Sequence, residues 1–222
     1  MHFEVPKLEK HSLREFAKHY LMIVLSILTA LGLEQWIERI HHHHAAEYAS
    51  AQIDAELRDT LKDVLEAQEN NAQRLASMKA LHEAIAADVR KGLPDSDINK
   101  HIRATNTQFR LSLDWPTLSS QAWDVAVANQ SATWIDAEKL RKYAAAYANQ
   151  REMSSWMAHD SLVAINAPRM VELRTRISLG KDVDPMEFLG VLQQMIGTSS
   201  ETIDHLKHAA IPMQAALATS TN

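Results

Sequence analysis

The uncharged stretch from Tyr20 to Leu33, "YLMIVLSILTALGL", constrains this chain more than any other feature. Its fourteen residues carry no charge, and only Ser26, Thr29 and Gly32 relieve a series of large apolar side chains. A helix at the edge of a soluble bundle shows a polar face, and this run shows none. Hydrogen-bonded helix is the state such a run adopts in lipid. At about 1.5 Å per residue it covers about 21 Å, against a hydrocarbon core of about 30 Å. Extension to Ile37 brings about 27 Å and takes in Glu34 and Gln35. The ends supply the difference. Lys18 can snorkel, Tyr20 and Trp36 stand where interfacial aromatics belong, and Glu34 lies within one turn of the far rim. We therefore expect residues 1–19 to form a short basic segment, 20–37 a transmembrane helix, and 38–222 a helical bundle domain outside the membrane. A buried core helix is the competing reading. A cleaved signal peptide is a third, but no A-x-A type cleavage site follows cleanly, and Glu34–Glu47 stays helix-like.

Lys7, Lys10, Arg14 and Lys18 precede the run, whereas only Arg39 and Arg58 follow within a similar distance. The positive-inside rule keeps the N-terminus in the cytoplasm and sends the C-terminal domain across. For a Gram-negative bacterium this means an inner-membrane anchor and a periplasmic domain. Alanine is abundant, Val and Ile are sparse outside the run, and there are only five glycines and six prolines. That composition favours helices over strands. The net charge of −5, with the signs interspersed, leaves no basic footprint for nucleic acid. The absence of cysteine excludes disulfides, thiolate metal sites and a cysteine nucleophile.

Beyond the run, residues 45–91 read as one long helix. Ile53, Leu57, Leu61, Val64, Ala72, Leu75, Met78, Ile85 and Val89 keep a helical stripe, interrupted by Asn70 and Asn71 as a polar register device. "KGLPDSD" (91–97) is a stop and turn, with a further helix starting near Asp97. A short helix is expected at about 117–128, amid three of the five tryptophans. A second long helix follows Asp136, with Leu140, Tyr143, Tyr147, Trp156, Leu162 and Ile165 inward, a break at Pro168 and a stop at Gly180. "DPME" (184–187) starts another helix, expected to end near Gly197. "TSSE" (198–201) then starts a last helix, bent at Pro212. The expected fold is all-α: a transmembrane helix continuing into an antiparallel bundle of long helices.

The order of a basic lead, an apolar span, "ALGLEQWIE" (30–38) and a long charged helix resembles uncharacterised bacterial single-span membrane proteins of the DUF6090 type. Those proteins leave the membrane through a similar Leu-x-Ile-x-x-Trp-x-Glu pattern. "TLSSQAWDVAVANQSATWIDAEKLRKYAAAY" (117–147) also resembles their middle region, where a Thr or Ser, an aromatic, a small-residue turn and a Leu…Tyr helix recur. Asn129-Gln130 stands here in place of a turn glycine. The resemblance implies architecture and carries no activity.

Two groups have partial metal-ligand spacing. Glu38 with His41 and His42 forms one, at the start of the run His41–His44. Glu201, His205 and His208 form the other, at i, i+4 and i+7. Adjacent helical residues point about 100° apart, so four consecutive histidines cannot converge on one ion. The first group has the Glu-x-x-His step of di-iron bundles without their further carboxylates. The competing reading of both groups is solvated helix surface. A histidine run beside carboxylates also suits pH sensing. Ser26 and Ala30, with Gly32 near, make a small-xxx-small pair suited to helix pairing in lipid. The tryptophans 115, 123, 134 and 156 read as core. No hydrolase or phosphate-loop motif is present, and His159-Asp160-Ser161 are adjacent in sequence, which points them apart on a helix.

These features favour a membrane-anchored helical binding or scaffold module. Its partners would be membrane lipid and either a second copy, as a homo-oligomer, or another membrane protein. The alternative is a metal-dependent or redox enzyme using bundle carboxylates and histidines with a transition metal.

Overall fold

The computed structural model describes residues 10–105, 109, 112–165 and 168–218. Lys7 and the side chains of Lys10, Leu162 and Ile165 lie outside those described residues. Helix α1 runs unbroken over Lys10–Arg90, 81 residues. No proline interrupts the sequence between Pro6 and Pro94, so every amide in that interval can join the helical ladder. At about 1.5 Å per residue, α1 is about 120 Å long. Its end is a Schellman turn. Gly92 takes φ 68°, its amide donates to the Val89 carbonyl, and the Leu93 amide donates to the Asp88 carbonyl.

Five shorter helices follow: α2 (Asp95–Ala104), α3 (Gln121–Ala128), α4 (Ala137–Ile165), α5 (Pro168–Ser178) and α6 (Pro185–Ala218). A 3-10 turn, Ser131–Trp134, joins α3 to α4. No strand occurs among the described residues. Local chemistry sets the boundaries. The Asp136 carboxylate accepts from the amides of Glu138 and Lys139 to cap α4, and Asp184 accepts from the Glu187 amide to cap α6. A second Schellman turn at Gly180, φ 70°, closes α5.

The buried side chains form two cores along α1. One joins Ile53, Leu57 and Val64 to Tyr143, Tyr147, Leu206 and Met213. The other, farther from the apolar run, joins Met78, Leu81 and Ile85 to Ile98, Leu173, Phe188 and Leu192. The first half of α6 thus meets the end of α1 and its second half meets the middle, so the two helices are antiparallel. Trp156 stacks on His205 and Asp160 meets Thr202, so α4 and α6 are antiparallel as well. Helix α4 therefore points the same way as α1.

That direction requires a long return between α2 and α3, and residues 112–120 supply it without helix. Arg74 holds the Ser112 carbonyl and Glu56 holds the Ser119 hydroxyl. Eighteen residues of α1, about 27 Å, separate those anchors, close to the reach of the seven strap residues fully extended. Near the Arg74 end, Asn71 pairs with the Asp114 backbone in both directions, its Nδ2 donating to the carbonyl and its Oδ1 accepting from the amide, each at 2.8 Å. Asn70 donates to the Asp114 carboxylate at 2.6 Å. The two asparagines thus hold this strap, and among the described residues no bond from them to a neighbouring helix registers the stripe they interrupt. Asn99 repeats the device, pairing in both directions with the Val183 backbone at 3.0 and 2.8 Å.

Two expectations are corrected. No helix ends near Gly197, because α6 continues from Pro185 to Ala218 and passes through Pro212. Ile196, Ser199, Thr202 and Ile203 are buried in one continuous stripe. That burial outweighs the cost of about 1 kcal/mol for a helical glycine and the capping tendency of Thr198 and Ser199. Of the tryptophans expected in the core, only Trp123 packs against it, stacked on Tyr147 at 5.2 Å between centroids. Trp115 and Trp123 are half-buried, while Trp134 and Trp156 are exposed at the surface. The largest wholly buried side chains are tyrosines and phenylalanines, including Tyr143, Tyr147, Phe109 and Phe188.

Candidate functional site

Among the described residues, nothing buries the segment of α1 from Leu13 to Ile40. Fourteen large hydrophobic side chains lie exposed along it, among them Leu21 at 69% and Leu28 at 60%. It contains the one helix stretch, among the described residues, that is long and apolar enough to cross a membrane, with a mean hydropathy of 1.7. Burying fourteen such side chains is worth on the order of 20–40 kcal/mol at about 1.5–3 kcal/mol each. The net stability of a whole domain is about 5–15 kcal/mol, so this surface calls for an apolar surrounding. Among the described residues, the run is no part of either core.

Its polar atoms are compatible with lipid. Ser26 and Thr29 donate to the carbonyls of Met22 and Leu25, each at 2.8 Å, so neither hydroxyl is left without a partner. Tyr20 and Trp36 stand sixteen residues apart, about 24 Å along the axis, and both are exposed. Phe16 stacks on Tyr20 at 6.4 Å, extending the aromatic surface toward Lys18. Lys18 and Glu34 are exposed at opposite ends of the run.

Immediately past the run the helix acquires neighbours. The His42 ring stacks on the Trp134 indole, 3.6 Å between centroids and 14° between planes. His43 and His44 both approach Glu47, at 3.4 and 3.6 Å. Beside them lies an open groove of about 570 Å³, reaching from His42 and Trp134 to Asp54 and Lys139. Asp54 is buried, accepts from the Tyr143 hydroxyl, and faces Lys139 Nζ at 3.3 Å. Lys139 also lies over the Tyr143 ring, 5.4 Å from its centroid. The lysine head thus neutralises a carboxylate that burial would otherwise disfavour.

A second hollow of about 540 Å³ opens between α1 and α3, with Glu56 in its wall and Tyr48, Asp59 and Asp63 around it. The Glu56 carboxylate accepts three hydrogen bonds, from the Tyr147 hydroxyl (2.6 Å), the Ser119 hydroxyl (2.6 Å) and the Ala122 amide (3.0 Å). It therefore ties α4, the strap and the start of α3 to one point of α1. Burial first, then the bond to Glu56 and its charge, push the Tyr147 phenol well above the ordinary tyrosine range.

The structure does not assemble either predicted ligand group. Glu38 and His41 are exposed on α1, and His42 is engaged by Trp134. His205 is engaged by Trp156 at 4.3 Å, while Glu201 and His208 are exposed. Among the described residues no group of three or more His, Asp or Glu side chains could hold a metal ion. His159 reaches Asp160 at 3.3 Å, and the other Asp160 oxygen meets the Thr202 hydroxyl at 3.1 Å. That carboxylate is thereby part of the α4–α6 contact.

Sequence reasoning missed Asp54, Glu56, Lys139 and Trp134 as connecting groups. A signal existed for the first: Asp54 lies between the inward positions Ile53 and Leu57, and a carboxylate there needs a partner. Nothing in the sequence pairs His42 with Trp134, which are 92 positions apart. No family model, no curated protein and no solved structure matches the chain.

Proposed function

We propose that this chain is a single-span membrane protein whose helical bundle acts as a binding or scaffold module. The bundle stands outside the inner membrane of a bacterium, in the periplasm, and the basic N-terminal segment stays in the cytoplasm. The same architecture relates it to the single-span proteins of the DUF6090 type. It works by association with a second copy or with another membrane protein. One observation carries the reading: the exposed apolar segment and the bundle's principal helix are a single helix, α1. The direction across the membrane follows from the lysines and arginines ahead of the run.

The test is fractionation of the intact protein, with protease added to sealed spheroplasts. Retention in membranes after a carbonate wash, with the bundle digested from outside, is the expected result. Release into the soluble fraction would remove the anchor, and protection of the bundle would invert the orientation. Crosslinking in the same membranes reads association. Isolated monomers with no crosslinked partner would overturn the binding role.

A further inference from the structure

We infer that the turn from Val127 to Trp134 is a second membrane contact, which seats Trp134 in the lipid headgroup layer beside the span. The inference rests on the anchoring proposed above. A span needs about 20 residues, so one that begins between Lys18 and Tyr20 ends between Ile37 and Arg39. His42 follows Ile37 by five residues, about 7.5 Å along α1. The headgroup layer on each side of the hydrocarbon is about 5–8 Å thick. A helical side chain leans toward the N-terminus of its helix, here toward the run. The His42 ring and the indole stacked on it at 3.6 Å therefore fall at headgroup depth.

The exposed chemistry of the turn suits that layer. Trp134 is 51% exposed although it is stacked, and Val127 is 52% exposed. Val127 belongs to the same turn, since the Gln130 amide donates to its carbonyl and the Thr133 amide donates to that of Gln130. An indole with one face on a histidine and the remainder free is an amphipathic group of the kind found at bilayer interfaces. The adjoining groove is acidic, with three carboxylates, Glu47, Asp54 and Asp136, against one lysine, Lys139. The surface thus suits a zwitterionic phospholipid rather than an anionic one. Two points of contact, the span and this turn, hold the bundle at a fixed tilt on the membrane, where the span alone would let it swing.

The chain has no cysteine, so one introduced cysteine gives a unique site for a spin label. Full-length protein is placed in phosphatidylcholine nanodiscs. Collision with oxygen and with a water-soluble nickel complex reads the depth of labels at Thr133→Cys, Leu28→Cys and Lys79→Cys. Leu28 lies in the run, and Lys79 is an exposed residue far along α1. The expected order is Leu28 deep, Thr133 at headgroup level and Lys79 in water. Adding Trp134→Ser should move the Thr133 label toward the Lys79 value. A Thr133 label as aqueous as Lys79, with Leu28 immersed, overturns the second contact and leaves the anchor standing. An aqueous Leu28 label overturns both.

Discussion

Replacing Asn71 by alanine should release the strap that carries the chain back along α1. Asn71 is 1% exposed, and its amide pairs with both the carbonyl and the amide of Asp114. Alanine removes both partners and fills neither place. Each net hydrogen bond is worth about 1–1.5 kcal/mol, and a partly buried backbone group left unpaired adds to the loss. The expected destabilisation is about 3 kcal/mol. Asn70→Ala, which gives up one bond to a carboxylate at the edge of the strap, should cost about 1 kcal/mol or less. Hydrogen exchange on the full-length protein in nanodiscs reads this locally. Exchange protection of the Asp114 amide should fall about a hundredfold in Asn71→Ala, since about 1.4 kcal/mol corresponds to a factor of ten. Urea titration should show a lower midpoint, by about 1 M at a slope of about 2–3 kcal/mol per molar. Unchanged protection at Asp114 would show that the strap is held elsewhere and would refute the reasoning.

Gln130 takes φ 64°, a left-handed conformation in which a side chain costs about 1–2 kcal/mol, so Gln130→Gly should raise stability by about 0.5–1 kcal/mol once glycine's entropy is set against it. A lower midpoint in thermal unfolding would count against that. Tyr147 keeps its proton in the folded protein after the unfolded chain has lost it near pH 10. Stability from this group is therefore complete below about pH 10 and falls above it, by about 1.4 kcal/mol per pH unit. In Tyr147→Phe the alkaline slope of urea midpoints should be shallower by one proton, and an identical slope would refute the assignment.

The sequence made most of the helices legible because their signals are local. The apolar run and the stripe beyond it gave α1, Gly92 and Gly180 gave the stops, and Asp136 and Asp184 marked the helix starts. Asn129-Gln130, standing where a turn glycine was expected, does hold a left-handed residue, Gln130. The errors came where packing overrides local preference. "TSSE" reads as a helix start, yet the stripe through Ile196 and Thr202 keeps α6 whole. Trp156 reads as core by spacing, yet it lies exposed over the half-buried His205. The candidate site was partly legible, as an apolar run with interfacial aromatics. The connections at its foot were not, because Asp54, Lys139 and Tyr143 meet only through the three-dimensional course of α4.

The same contacts divide the bundle into a post and a hanging part. Between the run and Arg90, α1 contains neither proline nor glycine. Helix α6 packs against α1 through both cores. Helix α4 approaches α6 closely but α1 only loosely, and two tyrosines bridge that wider gap to Asp54 and Glu56. A side chain as long as tyrosine tolerates such a separation because its ring fills the space and its hydroxyl satisfies the carboxylate.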